Sequence, residues 1–503
     1  MKASKKDVQE NKTSESFIQF FTKKEQKISL LYLFAFYCIV YIGLIYLYPF
    51  PDGISDSNGY IDAAIQGQYT GFRPFGYSKF LIALHGFSTS VSFVVFVQFW
   101  LNAITSVLFV QAIKYLFKPK NKILQVSLDL FSVLSIATIY LSNCILSDSL
   151  FTSLTTLWIL TGIGFIQAST VFKKSVFFLI HLILLGFLFS IRFTALFYLF
   201  VTLVFVFLSL YKISKWRFLL YSLFAVLLIS GLYIQQENTT EELTGVRTYS
   251  GFSGWQMANN AMHVVPHISI DTNQIKDIEV KKFASFVLRF NKFLPIPAYN
   301  TSPEYIWTKE AVLKQFLAQE LNENRSISYL EEWTYLGKNV YSKFGNYILL
   351  NYPVEYFQYY FLQNMAGVFY PRFDDVLTEY EQNAISIDLL KKWFDVEPEA
   401  SFYSKSNIVG NISKYLPFQK LILFILLVLS IFIRIFIPKK QLFSSIQNKT
   451  YFVLLFFILS FLLFQSYAAT CFIRHSMTIH IETIAAIYIV LNSCFTLKEK
   501  KIL

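Results

Sequence analysis

Residues 175–211 read SVFFLIHLILLGFLFSIRFTALFYLFVTLVFVFLSLY, an apolar run that only His181 and Arg192 interrupt with basic side chains. As a single helix this run would be about 55 Å long, nearly twice the thickness of the apolar core of a bilayer. A break at Arg192 gives two helices that each match the bilayer. The stretch therefore predicts a tight transmembrane hairpin with Arg192 at its turn.

The composition of the whole chain agrees with a membrane protein. Of 503 residues, 54% are hydrophobic and only 15% are charged, whereas a soluble domain carries about 25% charged residues. High hydrophobicity with low charge also excludes intrinsic disorder. The 4 cysteines are too few for a disulfide scaffold and lack the paired spacing of a zinc or haem site. We predict an all-α polytopic membrane protein.

Ten apolar segments have the length of about 20 residues that a spanning helix needs. They lie near 28–48, 91–113, 123–142, 148–167, 175–191, 193–211, 218–234, 418–437, 450–470 and 475–494. The predicted domains are a cytoplasmic arm (1–27), a module of seven spans (28–234) with a first outer loop (49–90), a mainly helical extracytoplasmic domain (235–417) and a module of three spans (418–503). Within the extracytoplasmic domain, the aromatic stretch 352–370 is predicted to lie along the outer interface as an amphipathic helix.

The net charge of +12 has a topological explanation. Lysines and arginines crowd the N-terminal arm and the segments that follow the second, fourth, sixth, eighth and tenth spans. Because basic residues stay on the cytoplasmic side of short loops, both termini are predicted to be cytoplasmic and the segments 49–90 and 235–417 to lie outside. The basic balance therefore does not indicate a nucleic-acid partner.

The first outer loop holds the candidate chemistry nearest to a span. Asp52, Asp56, Asp62 and Arg73 are close in sequence here. A carboxylate can act as a general base toward a hydroxyl, and an arginine can bind a phosphate. An ordinary polar loop explains the same residues, with Asp56 and Ser57 capping a helix.

Four further ionisable residues are predicted at the outer ends of spans. Asp148 begins the fourth span, Arg192 lies in the hairpin turn, and Arg474 and His475 begin the tenth span. Asp148 also fits a simple dipole interaction at a helix N-terminus, and Arg192 also fits snorkelling to the interface. If Arg73, Arg192 and Arg474 share one face, they suit a phosphate or diphosphate at the lipid interface.

Several of these segments resemble motifs of the GT-C superfamily of polytopic membrane glycosyltransferases. DSNGYIDAA (56–64) and RPFGY (73–77) resemble the first-loop patterns D-x-x-x-Y-x-x-A and R-P-P-G-Y-P, with Phe75 and Ser78 in place of two prolines. LSDSLF (146–151) resembles L-x-S-E-x-L-F, with Asp148 in place of Glu. The remaining similar segments are GFLFSIRFTA (186–195), SGWQMANN (253–260) and RHSM (474–477), the last lacking the Tyr and Pro of R-Y-x-x-P.

The resemblance implies a GT-C-like fold and an enzyme similar to protein mannosyltransferases and aminoarabinose transferases. Such an enzyme moves a sugar, with inversion, from a polyprenyl-phosphate donor to an acceptor hydroxyl. It implies Asp56 as the catalytic base. The donor phosphate is assigned to Arg73, Arg192, Arg474, His475 and Tyr60, and supporting or acceptor contacts to Asp148, Trp255 and Asn260. Trp255 also fits a buried structural role.

The implied partners are the donor lipid, the membrane and an acceptor that is a protein, a glycan or a lipid. No metal site is assigned, although relatives with and without a divalent metal exist. The implied location is the cytoplasmic membrane of a bacterium, with the active site on the outer face. Two alternatives remain at this point, a transporter or flippase of lipid-linked sugars and a non-catalytic assembly protein with the same fold.

Overall fold

The computed structural model describes residues 17–119, 121–133, 135–293, 306, 308–323, 326–371, 385–396, 404–436 and 444–502. This part of the chain is helical and contains no strand. It includes 10 helices long and apolar enough to cross a membrane, which confirms the predicted all-α membrane architecture. They are Lys24–Leu47, Val91–Phe117, Lys122–Leu141, Ser147–Gln167, Val171–Ile191, Phe193–Leu210, Lys215–Thr244, Leu416–Phe436, Ser445–Ala468 and Ile473–Phe495, called the first to tenth spans below.

The hairpin predicted from residues 175–211 is present. The fifth span ends at Ile191, and Arg192 takes an extended conformation with φ −143° and ψ 127° before the sixth span begins at Phe193. The seventh span differs from its prediction, because its helix continues to Thr244 instead of ending near residue 234. Polar residues of the extension keep the helical pattern until Gly245, whose φ of 69° ends the helix in the left-handed conformation.

Two spans form the centre of the bundle. The most apolar stretch of 18 residues in each span differs in its burial. In this stretch 78% of the fourth span and 83% of the tenth span is buried, against 17% of the first span and 11% of the seventh. The central spans carry Asp148 and the Arg474-His475 pair at their N-terminal ends. The predicted site residues therefore lie at the end of the best-packed helices.

Lysines close the helix ends on the opposite face. Lys174 Nζ donates to the carbonyl of Phe165 at 3.0 Å, near the end of the fourth span. Lys449 Nζ donates to the carbonyl of Leu208 at 2.7 Å, near the end of the sixth. A cation at a helix C-terminus satisfies unpaired carbonyls and interacts favourably with the helix dipole. We call this end of the bundle the lysine face and the other end the site face.

Between the seventh and eighth spans the chain forms a helical region that we call the large domain, residues 245–415. This domain contains the second hydrophobic core of the protein, which is separate from the core of the spans. The second core is built around Trp255, Phe283, Tyr341 and Phe344. Its α-helices are Gly251–Met262, Ile278–Phe293, Val312–Glu323, Tyr329–Tyr335, Ser342–Asn351, Pro353–Tyr356, Leu362–Phe369, Ile387–Trp393 and Ile408–Ser413, and two π-helical turns cover Leu336–Tyr341 and Phe357–Phe361.

Close backbone contact fixes the centre of this core. A Cβ atom on Gly254 would lie 1.7 Å from the carbonyl oxygen of Gly337, and one on Gly337 would lie 2.3 Å from that of Gly251. Only glycine allows helix Gly251–Met262 and the first π-turn to approach so closely. The two elements therefore pack directly against each other, backbone to backbone.

The last part of the large domain packs on the first outer loop instead of on the second core. Ile385, Leu390 and Phe394 belong to the hydrophobic core of the spans. The backbone N–H of Ser386 donates to Asn58 Oδ1 at 2.7 Å. The backbone N–H of Lys405 donates to the Leu47 carbonyl at 2.8 Å. Residues 385–396 thus cover the helix that carries Asp56.

The aromatic stretch 352–370 is helical and is not among the candidate spans. Tyr360 is buried in the second core and Val368 in the core of the spans, while Val354 and Phe357 are 70% and 52% exposed. The stretch therefore joins the two cores and leaves an apolar side uncovered. Its location at a membrane interface stays a prediction.

Candidate active site

Asp56 and Tyr60 lie one turn apart on helix Ser55–Gln66, which begins the site on the first outer loop. Asp56 is in the first turn, where the helix dipole favours a carboxylate. Its side chain does not cap the helix, since Ser57 Oγ accepts the Ile54 N–H at 3.1 Å. The helix ends at Gly67 in the left-handed conformation with φ 69°. Of the two residues predicted to cap the helix, Ser57 makes the capping contact and Asp56 does not.

Arg73 forms an ion pair with Asp56. The arginine is 34% exposed and the aspartate 21%, so the pair borders solvent. Between them the chain turns at Gly71, whose φ is 93°. A Cβ atom at Gly71 would lie 2.7 Å from Leu330, so the turn lies directly against the large domain.

The other two aspartates of the first loop have structural contacts. Asp52 is 1% exposed and accepts a hydrogen bond from the Tyr140 hydroxyl at 2.7 Å, which ties the loop to the end of the third span. Asp62 accepts from Gln66 Nε2 at 2.8 Å on the same helix. Of the aspartates Asp52, Asp56 and Asp62, Asp56 lines the cavity that is described below.

Asp148 and Arg192 form an ion pair across the fourth and fifth spans. Arg192 Nη2 lies 2.9 Å from Asp148 Oδ1, with Asp148 only 2% exposed. Arg192 Nε donates to Ser147 Oγ at 3.2 Å, and Ser147 Oγ lies 3.0 Å from the Tyr60 hydroxyl. Both charged residues were predicted separately, but their pairing was not. The hydroxyls of Ser147 and Tyr60 link this pair to helix Ser55–Gln66.

Arg474 and His475 join the same group from the start of the tenth span. Both interact electrostatically with Asp148. His475 is also within electrostatic reach of Arg73 and Arg192. The structure therefore brings together the predicted base and all predicted phosphate ligands, a set we call the cationic cluster: Asp56, Tyr60, Arg73, Asp148, Arg192, Arg474 and His475.

The charge balance of the cationic cluster is positive. Three arginines face two carboxylates among these residues, so one positive charge is in excess. Tyr60 is 3% exposed. Burial raises the pKa of the Tyr60 phenol, with the Arg73 guanidinium opposing the change. The hydroxyl therefore stays protonated at neutral pH and can donate a hydrogen bond. The arrangement suits an anion with several oxygen acceptors.

A cavity of about 250 Å³ opens beside the Asp56–Arg73 pair. Aromatic side chains from two regions close it, with Phe72 from the first outer loop and Phe252 and Trp333 from the large domain. The rings of Phe72 and Trp333 are 4.9 Å apart in an edge-to-face arrangement. The remaining lining residues are Ser55, Asp56, Gly59 and Arg73. The cavity thus connects the ion pair to the junction between loop and domain.

Trp255 and Asn260 lie near this cavity without lining it. Trp255 is 1% exposed. Its indole N–H donates to the Trp333 carbonyl at 2.9 Å, and its ring stacks on that of Trp333 at 5.5 Å. Trp255 therefore supports Trp333 from behind, which agrees with the structural alternative. Asn260 Nδ2 donates to the carbonyls of Tyr467 and Ala468 at 3.3 and 3.1 Å, at the end of the ninth span.

Trp333, like Phe72 and Phe252, is a cavity residue that sequence reasoning missed. It follows Glu331 and Glu332 in a polar stretch, and no motif distinguishes it from the other tryptophans. Its role depends on a contact with Phe72, which is far away in the sequence.

In the described part of the chain, no group of three or more His, Cys, Asp or Glu side chains is arranged to hold a metal ion. Asp56 and Asp148 each contact an arginine instead.

Comparison with protein-family models, with curated proteins and with solved structures finds no match to this chain.

Proposed function

We propose that this chain is a membrane glycosyltransferase that moves a sugar from a polyprenyl-phosphate donor to an acceptor hydroxyl. The observation that carries the proposal is the convergence of Asp56 with three arginines at the ends of apolar helices. An amphiphilic donor places its tail among the spans and its phosphate at the cationic cluster. The acceptor enters through the cavity, where Asp56 meets the large domain.

Each residue type has a defined task in this reaction. The Asp56 carboxylate accepts the proton of the acceptor hydroxyl, and the acceptor oxygen forms a bond to the anomeric carbon of the sugar. The bond between that carbon and the phosphate oxygen breaks, and the lipid phosphate leaves with the electron pair. Arg73, Arg192 and Arg474 stabilise the leaving group through charge-assisted hydrogen bonds. Attack from the opposite side inverts the anomeric centre.

The Asp56–Arg73 ion pair implies an order of binding. The Asp56 carboxylate contacts the Arg73 guanidinium, so it must separate from this partner before it can accept the proton of an acceptor hydroxyl. A donor phosphate competes for Arg73 and loosens the pair. Donor binding therefore frees the Asp56 carboxylate from the ion pair, and the acceptor reacts second.

The proposed location follows from the lysine face. Basic residues lie on the cytoplasmic side of membrane proteins, so the site face is assigned to the outer side of the cytoplasmic membrane. The donor is then used in the outer leaflet, where the large domain meets water.

Asp56→Asn tests the proposal, because it keeps the size of the side chain and removes its basicity. Transfer of a radiolabelled sugar from a polyprenyl-phosphate donor by purified protein should fall about 10²–10⁴-fold. Asp62→Asn is the matched control, because Asp62 lies on the same helix and contacts Gln66. Its activity should stay at the wild-type value.

Two results would reject the assignment of Asp56 as base: wild-type turnover in Asp56→Asn, or equal losses in both variants. The same preparation in vesicles distinguishes the alternatives. A transporter would move the lipid-linked sugar between leaflets without cleaving it, and an assembly protein would do neither.

A further inference from the structure

The C-terminal end of the ninth span is held by side chains of the large domain. The last four carbonyls of a helix have no partner inside it and need one outside. Asn364 Nδ2 donates to the carbonyls of Ser466 and Ala469 at 2.8 and 2.9 Å. Asn260 Nδ2 donates to those of Tyr467 and Ala468. The Tyr360 hydroxyl also donates to the Tyr467 carbonyl, at 3.0 Å. Three elements of the domain thus converge on one helix end.

These contacts are buried and directional. Asn260, Tyr360 and Asn364 are 3%, 2% and 6% exposed. Gln256 Nε2 donates to Asn260 Oδ1 at 2.9 Å, which leaves the Asn260 amide nitrogen facing the carbonyls. A buried carbonyl that loses its donor retains the full cost of desolvation. The large domain therefore fixes where the ninth span ends.

Only a short connection separates this end from the cationic cluster. The ninth span ends at Ala468, and Arg474 and His475 follow in the first turn of the tenth span. Cys471, within the connection, and Ile473, at the start of the tenth span, are buried at 1% and 0% exposure. The position of the two basic residues therefore depends on the position of this helix end.

Helix Gly251–Met262 links the same contacts to the cavity. Phe252, at its beginning, lines the cavity beside Asp56. Asn260, two turns later, binds the ninth span. The close contact between Gly254 and Gly337 packs this helix directly against the first π-turn of the domain. One element of the large domain therefore touches the cavity and the helix end that leads to Arg474.

We propose that Asn260 and Asn364 are positioning residues for Arg474 and His475: they hold the segment 469–476 in place through the end of the ninth span. The proposal that this segment binds the donor phosphate rests on the proposed function. It follows that phosphate binding depends on the large domain and is not a property of the spans alone.

Cysteine labelling tests the positioning without reference to any activity. Burial raises the pKa of the Cys471 thiol to about 12, and only the thiolate reacts readily, so Cys471 should be inert to N-ethylmaleimide in the wild-type protein. In Asn364→Leu and in Asn260→Leu, its labelling rate, mapped by mass spectrometry, should rise about tenfold. That factor corresponds to the loss of one or two ordinary hydrogen bonds.

Asn492→Leu is the matched control. Asn492 Nδ2 donates to the Phe117 carbonyl at 3.1 Å, so it closes the end of the second span on the lysine face. This variant should lower the thermal unfolding midpoint by a similar amount and leave Cys471 inert. Unchanged Cys471 labelling in both Asn260→Leu and Asn364→Leu, or an equal rise in Asn492→Leu, would overturn the proposal.

Binding of farnesyl phosphate to the full-length protein in detergent examines the link to the site. Its Kd should rise about tenfold in Asn364→Leu and stay unchanged in Asn492→Leu. If Cys471 becomes reactive while the Kd does not change, the two asparagines do not position a phosphate site and this part of the inference is wrong. If the wild-type protein does not bind farnesyl phosphate, the proposed function fails, and the labelling result still decides the positioning.

Discussion

Arg192→Leu should destabilise the protein by about 3 kcal/mol, because it removes the guanidinium that is paired with the buried Asp148 carboxylate and leaves only the longer-range interaction with Arg474. Asp148 is 2% exposed and lies 2.9 Å from the Arg192 guanidinium, which is 22% exposed. Removing one partner of a buried ion pair costs about 3–5 kcal/mol. We expect the lower end of this range, since part of the guanidinium faces solvent.

A double-mutant cycle isolates the interaction between the two charges. Asp148→Asn removes the negative charge and keeps the shape of the side chain. In the variant that carries both substitutions, no unpaired buried carboxylate remains. The double variant should therefore be more stable than the sum of the single losses predicts, by at least about 1.5 kcal/mol.

The free energy of unfolding can be measured in mixed micelles by titration with sodium dodecyl sulfate, followed by tryptophan fluorescence. Arg247→Leu is the control, because Arg247 is 53% exposed and lies 3.5 and 3.6 Å from Glu237 and Glu241. A surface pair of this kind contributes about 0–1 kcal/mol. The reasoning is refuted if Arg192→Leu costs no more than the control, or if the losses in the cycle add to within about 0.5 kcal/mol.

Two further predictions concern the large domain. Gly254→Ala should lower the unfolding midpoint, because a Cβ atom there would lie 1.7 Å from the Gly337 carbonyl oxygen and overpacking costs about 1–3 kcal/mol. Gly231→Ala is the control and should not lower the midpoint, because no atom lies within 4 Å of a Cβ atom at that position. Equal effects of the two substitutions would contradict the packing argument. Burial raises the pKa of Glu332 above 4.5, so the folded chain binds more protons than the unfolded chain between the two pKa values and stability falls as the pH rises through them. Glu332→Gln should remove this loss of stability. The unfolding midpoint of the variant should then exceed that of wild type at about pH 7, and the difference between the two midpoints should be smaller at about pH 4. A difference that stays constant between these pH values would show that Glu332 is not the cause.

The spans could be predicted from sequence because the bilayer imposes one physical requirement on every one of them. A helix must cover the apolar core and satisfy its own backbone hydrogen bonds there, so length and hydropathy are sufficient. The hairpin at Arg192 was predictable for the same reason, since residues 175–211 are too long for one crossing. The end of the seventh helix was not, because hydropathy marks only the part inside the membrane. Its extension consists of polar residues that form helix equally well in water.

Single site residues could be predicted because they stand out chemically at the ends of apolar segments. Their contacts could not, because each contact joins distant parts of the chain. Nothing in the sequence around Asp148 indicates that its partner is Arg192. The contact of Asn260 with the ninth span depends on the tertiary fold of the large domain, and so does the place of Trp333 in the cavity wall.

The return of residues 385–396 to the first outer loop has a consequence for biosynthesis. Helix Ser55–Gln66 emerges early from the ribosome, whereas the segment that covers it, in which the Ser386 N–H donates to Asn58, is made after seven spans and most of the large domain. Chains fold from the N-terminus as they are synthesised, and contacts between distant residues form slowly. Helix Ser55–Gln66 therefore stays uncovered until nearly four-fifths of the protein exists. A chain that stops during translation before this point leaves the helix exposed.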